Sequence, residues 1–210
     1  MADATAKFYA KAFLAALNKE IDFASDTLKM QLHTSSYTPD LLAHDYHDDL
    51  TNEVANGNGY TTGGATLSSV TCTLVTAANA TAWATGTAYK VGQLVRKTTT
   101  NGHIYRCIVA GTSHAETEPT WPTNPGEDVT DGTVKWEEAG SCYIKLDFDD
   151  VTWSASTITA RYAVVVDTTP GSSATNPLIL LIDFGGDQSS NSADFKVQLP
   201  ADGAALIRIT

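Results

Sequence analysis

The apolar positions of this chain change period early and then keep the new one. Between Ala4 and Glu20, Phe8, Ala12, Phe13, Ala16 and Leu17 fall at helical spacing in an Ala-rich stretch. That predicts one helix with this set as its apolar face. From Thr27 the period is two. Leu28, Met30 and Leu32 alternate with Lys29, Gln31 and His33, which predicts a half-buried strand. SSVTCTLV (68–75) reads as a strand, and CYIKLDFDDVTW (142–153) alternates throughout. TITARYAVVVDT (157–168) is β-branched and apolar enough for a central strand, and LILLIDFG (178–185) for a buried one. PGSSATNP (170–177) and GGDQSSNSA (185–193) read as polar turns, and DFKVQLP and AALIRIT as two last strands around a turn at Pro200–Gly203. The fold class expected is mainly β: an antiparallel β-sandwich or barrel with one N-terminal helix.

The stretch 78–140 interrupts this pattern. It holds three of the four Trp and begins and ends between segments that read as one other domain. The expected organisation is a host β-domain made of 1–77 and 141–210, with a small β-module inserted at 78–140. A module of that size needs aromatics for its own core, and flat aromatic faces also stack on sugar rings. Trp83, Tyr89, Tyr105 and Trp121 are the candidate carbohydrate-binding residues, Trp121 being held between Pro119 and Pro122. Trp136, in an alternating strand, and Trp153, in the host domain, are expected in cores.

Two other stretches invite a chemical reading. AHDYHDDL (43–50) gathers His44, Asp45, His47, Asp48 and Asp49, but in no standard metal-ligand spacing, so a solvated loop is expected and no metal. EVANGNGYTTGGATL (53–67) has four Gly, yet meets neither the dinucleotide nor the P-loop spacing. Left-handed or bulged backbone in a turn region explains it better.

Composition narrows the function. With 13 basic and 24 acidic residues the net charge is −11, which opposes nucleic-acid binding. No apolar run reaches membrane-spanning length, and the N-terminus lacks the pattern of a secretory signal, so synthesis in a cytoplasm is expected. Cys72, Cys107 and Cys142 are expected as free thiols, with Cys107 packed in a strand. No Ser-His-Asp set sits in a nucleophile-elbow context. Asp149 and Asp150, as neighbours on a strand, would point to opposite faces and could not work as a glycosidase pair. The chain is expected to be no enzyme and to need no cofactor.

Two resemblances add to this reading. Glu53, Val54, Gly57, Gly59, Tyr60, Gly63 and Gly64, then Asp150, Val151, Trp153, Arg161 and Tyr162, then Asp183, Phe184 and Gly185 match the motifs of a family of small tailed-bacteriophage structural proteins. The resemblance implies a virion component assembled in the host cytoplasm, most naturally a capsid decoration or head-surface protein. Its partners would be other virion proteins, the major capsid protein first, and copies of itself in a closed oligomer such as a trimer. The alternative is a tail-associated adhesin or neck protein that binds host glycans. The insert is similar to small chitin- or cellulose-binding modules. The shared pattern is W-x5-Y-x2-G (Trp83, Tyr89, Gly92), I-Y-R-C (104–107), E-P-x-W-P (118–122) and D-G-T-V-x-W (131–136). That resemblance implies weak glycan binding at the exposed aromatics.

Overall fold

The computed structural model describes residues 5–200 and 202–209. Ala4, Ala201 and Thr210, which the expected helix, turn and last strand included, lie outside them. The chain divides into two compact units, each built from two separated stretches: Met1–Thr71 with Phe148–Leu199, and Cys72–Asp147 with Pro200–Thr210. The first unit carries β1 (Thr5–Phe8), α1 (Ala10–Leu17), β2 (Leu28–His33) and β3 (Ala65–Thr66), and β4 (Thr71–Thr76) begins at the join. The second carries β5 (Ala88–Tyr89), β6 (Leu94–Arg96), β7 (Ile104–Val109), β8 (Gly111–Thr112), β9 (Asp128–Asp131), β10 (Val134–Glu138) and β11 (Cys142–Asp147). The chain then returns to the first unit for β12 (Val151–Ser156), β13 (Thr159–Asp167), β14 (Leu178–Ser189) and β15 (Ala193–Val197), and ends in the second with β16 (Ala205–Arg208). The fold is mainly β, with several antiparallel sheets, one short N-terminal helix and no closed barrel among the described residues.

The first unit is organised on a sheet of order β1-β14-β13-β2-β3. Ala163, Val164, Val165 and Val166 of β13 are all fully buried, so this strand is covered on both faces. On one face Val164, Val166 and Leu181 pack with Tyr9 and Tyr37. Beyond the other, Phe184 meets Phe195, Phe195 meets Trp153, and Trp153 meets Tyr60, at ring-centroid distances of 6.0–6.1 Å. β2 is therefore not half-buried. Gln31 and His33 are as buried as their apolar neighbours. They find partners instead of water: Gln31 Nε2 lies 2.9 Å from His47 Nε2, and His33 Nδ1 lies 2.8 Å from the Thr51 carbonyl oxygen. Burial holds His33 below its ordinary pKa.

Three local expectations change. The N-terminal helix is shorter than expected, because Thr5–Phe8 pairs antiparallel with β14 as an edge strand. The open edge of β14 supplies backbone partners that outweigh helix propensity there. The helix also turns its small side inward: Ala12 and Ala15 are buried, whereas Phe13, Leu14 and Leu17 are exposed. GGDQSSNSA is mostly strand, since β14 runs on to Ser189. Its glycines make an irregularity inside the ladder, with Gly185 at φ 75°, where the partner register jumps opposite Ala160–Tyr162. The stretch 142–153 is two strands in different sheets. Asp149 and Asp150 lie in the loop between them, not on a strand. Asp149 accepts from the Ser68 and Ser69 hydroxyls, and Asp150 pairs with Lys196 at 2.8 Å.

The glycine segment behaves as its composition demands. Gly57, Gly59, Gly63 and Gly64 all have positive φ. A Cβ on Gly64 would stand 2.0 Å from the Met30 carbonyl oxygen, and one on Gly59 2.7 Å from Ser156 Cβ. Glu53 ties the segment together: its Oε1 accepts from Tyr60 Oη at 2.6 Å and from the Gly63 amide at 2.7 Å, while Tyr60 Oη accepts from the Leu32 amide. The segment 43–50 is likewise bound in. Tyr37 Oη lies 3.0 Å from His44 Nδ1, Lys11 pairs with Asp45 at 2.9 Å, and Asp49 accepts from the Asp45 amide. Among the described residues no group of three or more His, Cys, Asp or Glu could hold a metal ion.

The second unit takes in more than 78–140. β11, β16 and β4 form a three-stranded sheet, β16-β11-β4. It packs onto the module through Tyr143, which joins Leu94, Ile104 and Ala139 in one buried cluster and donates to the Ala139 carbonyl at 2.6 Å. The three cysteines are free, with Cys107 buried.

Two predictions follow from the first unit. Gly63 and Gly64 share a positive φ, but only Gly64 meets backbone. Gly63→Ala should cost about 1 kcal/mol and Gly64→Ala at least ~3 kcal/mol, read as the drop in thermal midpoint. Equal losses would show that the close approach does not matter. The second concerns Asp167, fully buried at the end of β13. Burial, reinforced by the Asp26 carboxyl, pushes its pKa up to about 6. The folded state thus favours the protonated acid. That stabilisation is complete below the unfolded value near 4 and is lost as pH rises through about 6. Asp167→Asn should raise the melting temperature at pH 8, by roughly 1 kcal/mol in stability, and flatten its fall between pH 4 and 7. An unchanged pH slope would contradict this.

Candidate functional site

The second unit concentrates aromatic side chains around one buried carboxylate. β9 and β10 form a hairpin in which Asp131 is paired with Val134 across a two-residue loop, and Gly132 opens that loop at φ 62°. The hairpin places Asp131, 3% exposed, beneath the aromatic cluster. Asp131 Oδ2 accepts from Trp83 Nε1 at 2.7 Å and from Trp136 Nε1 at 3.1 Å; Oδ1 accepts from the His114 amide at 2.8 Å. One side chain thus satisfies two buried indoles and anchors a loop. Hydrogen bonds to a charged acceptor contribute about 1.5–3 kcal/mol each.

The remaining aromatics stack outward from this centre. Tyr89 meets Trp136 edge-on at 4.8 Å, Trp121 meets Trp136 edge-on at 5.9 Å, and Tyr105 stacks on Trp121 at 4.2 Å. Val95, Cys107 and Val134 complete the cluster. The strands β6, β7, β10 and β9 hold it from one four-stranded sheet. Burial pushes the Tyr89, Tyr105 and Cys107 pKa values up, so none of these groups is activated for chemistry at neutral pH.

All four expected sugar-binding residues, Trp83, Tyr89, Tyr105 and Trp121, fall in this one cluster, and all four are buried. Tyr105 exposes nothing, and the other three show 6–7% of their surface. Tyr105 stacks on Trp121, and Tyr89 and Trp121 pack against Trp136, so little of these rings reaches solvent. Trp136 is fully buried and Trp153 packs in the first unit. Of the four, Trp121 and Tyr105 stand in a polar surround. Trp121 Nε1 donates to Glu118 Oε1 at 2.9 Å, and the same oxygen accepts from the Thr98 amide at 2.8 Å. Tyr105 Oη donates to the Pro122 carbonyl and accepts from Asn101 Nδ2. Thr98 is exposed, and Asn101, Glu118 and Pro122 are half-buried. The loop leading to Trp121 is fixed by His114, whose Nδ1 accepts from the Glu116 and Thr117 amides.

Asp131, Glu118 and His114 have roles that the sequence did not suggest. Asp131 opens the D-G-T-V-x-W pattern, and its fixed spacing from Trp136 was the available signal. Glu118 likewise opens the E-P-x-W-P pattern at a fixed spacing from Trp121, whereas His114 gave no signal, since an exposed loop histidine looks the same whether or not it caps a neighbouring amide.

Residues 82–136 match the model of carbohydrate-binding module family 5/12. The match covers the aromatic cluster from Trp83 to Trp136 and about a quarter of the chain. No curated protein and no solved structure matches the chain. The second unit therefore contains a carbohydrate-binding module of this family, and the first unit has no counterpart in these comparisons.

The buried carboxylate gives a direct test. Asp131→Ala leaves two buried indole donors without an acceptor and should destabilise the second unit by about 3–5 kcal/mol. Tryptophan fluorescence and near-ultraviolet circular dichroism should report the loss while the first unit stays folded. Wild-type unfolding of the second unit in this variant would refute the role.

Proposed function

We propose that this chain is a non-catalytic glycan-binding protein: the second unit takes the sugar and the first fixes it to a larger assembly. The observation that carries the reading is the family match over 82–136, laid on an aromatic cluster that is complete and hydrogen-bonded. The sugar meets the module at the Trp121 edge, where Thr98, Asn101 and Glu118 supply hydrogen-bonding groups beside an apolar ring. The polymer class is that of chitin or cellulose, following the motif resemblance of the module. Nothing in this arrangement offers a nucleophile or a spaced acid pair, and binding without turnover is the role it suits.

The setting proposed is the surface of a tailed-phage particle, with the major capsid protein as neighbour. It rests on the resemblance of the host-domain motifs, whose residues Glu53, Tyr60, Gly63 and Gly64 are the ones that lock the glycine segment. Many copies on one particle would turn weak single-site binding into useful avidity. Immunogold labelling of a particle would separate head from tail.

For the sugar, the full chain should be retained on chitin or cellulose beads and should bind their soluble oligomers with a millimolar or tighter Kd. Trp121→Phe keeps a ring against Tyr105 but loses the indole N–H and part of the edge. It should weaken binding by about tenfold while the fold is kept. No retention on either polymer would overturn the function, and an unchanged Kd in Trp121→Phe would move the site elsewhere on the module.

A further inference from the structure

The helix α1 is built inside out. Its buried residues are Ala12 and Ala15, and its large apolar residues point away: Phe13, Leu14 and Leu17 are 39%, 60% and 81% exposed. Beside it Leu42 is 76% exposed. That leucine is held there by backbone and side-chain bonds: the Ala10 amide donates to the Leu41 carbonyl, and Lys11 Nζ bonds the Ala43 carbonyl and Asp45. These four are the exposed large hydrophobics of the first unit among the described residues. A clustered patch of this kind marks an interaction surface.

The charges around the patch indicate what covers it. Lys7 and Lys11 stand at its N-terminal end, and Glu20, Asp22 and Asp26 follow its C-terminal end, with Lys19 between. Within one chain this order is unfavourable, since a helix prefers acids at its start and cations at its end; α1 has no acid in its first turn and no cation in its last. Across a two-fold axis the order becomes complementary. Lys7, near the end of β1, precedes α1 and Glu20 follows it, so cation and acid lie on opposite sides of the apolar face. An axis through Phe13–Leu14 would set two copies of α1 antiparallel, with the basic end of each against the acidic end of the other. Lys7, Lys19 and Glu20 are all exposed, and Glu20 also accepts from Tyr46 Oη at 3.0 Å, a surface bond that an incoming cation would share or replace. A chain with net charge −11 repels itself elsewhere, so a locally self-complementary surface is where two copies can meet.

We propose that the exposed face of α1, with Leu42, is a self-association surface on which a second copy of this chain packs with its own α1 antiparallel. The proposal does not depend on which ligand the module takes. Paired chains would carry two modules together, the starting point for multivalent binding.

The test is sedimentation of the full-length chain over a micromolar concentration series, with circular dichroism as a control on folding. The wild type should show a concentration-dependent dimer. Leu14→Ser with Leu17→Ser should be monomeric and folded, because both positions are exposed. Lys7→Glu should weaken the dimer by about tenfold, and adding Glu20→Lys should restore it, the reciprocal rescue that a two-fold pairing requires. A wild type that stays monomeric, a dimer that survives the leucine changes, or no rescue in the charge swap would overturn the proposal. So would a monomer that sediments with vesicles of phosphatidylserine and phosphatidylcholine, which would make the patch a membrane surface.

Discussion

The second unit depends on Asp131. Two indoles cannot be buried with their N–H groups unpaired, and a small module has little apolar mass with which to offset such a loss. One carboxylate resolves both, at 2.7 and 3.1 Å, and holds the His114 amide as well. With Trp83 and Trp136 fixed, Tyr89 and Trp121 have rings to pack against, and Tyr105 then stacks on Trp121. The loop from His114 to Trp121 is closed at one end by Asp131 and His114 and at the other by Glu118. The polar groups around Trp121 are thus the rim of a core, set by the same contacts that hold the core together.

The first unit depends on close backbone approach. β13 and the first half of β14 are apolar on both faces, and the glycine segment comes near enough to β2 that Gly64 admits no side chain. Glu53 holds that approach through Tyr60 and the Gly63 amide. The residues carrying the host-domain resemblance here serve packing and turn geometry. On the outside of the unit, α1 turns its large apolar residues to solvent.

Much of this was legible in the sequence. The strands at β2, β13 and β16, the left-handed glycines, and the core placement of Trp136, Trp153 and Cys107 followed from period, composition and neighbours. What was hidden has physical causes. Thr5–Phe8 became strand because β14 offered an edge, a tertiary fact with no local trace. Gly185 and Gly186 read as a turn because a bulge and a turn ask for the same residue. Gln31 and His33 read as solvent-facing because period two marks polar positions as outward unless a partner such as His47 or the Thr51 carbonyl waits inside. The burial of Trp121 was hidden in the same way: flanking prolines suggested exposure, while stacking on Tyr105 draws the ring in.

The central claim is that sugar meets the module at the Trp121 edge while the Asp131-bound indoles stay internal. Proton–nitrogen correlation spectra of the chain, titrated with a soluble chitin or cellulose oligomer, test it most directly. The account predicts shifts at the Trp121 indole N–H and at the Thr98 and Asn101 amides, with the Trp83 and Trp136 indole signals unmoved. No shifts at saturating sugar, or shifts led by Trp83 and Trp136, would contradict it.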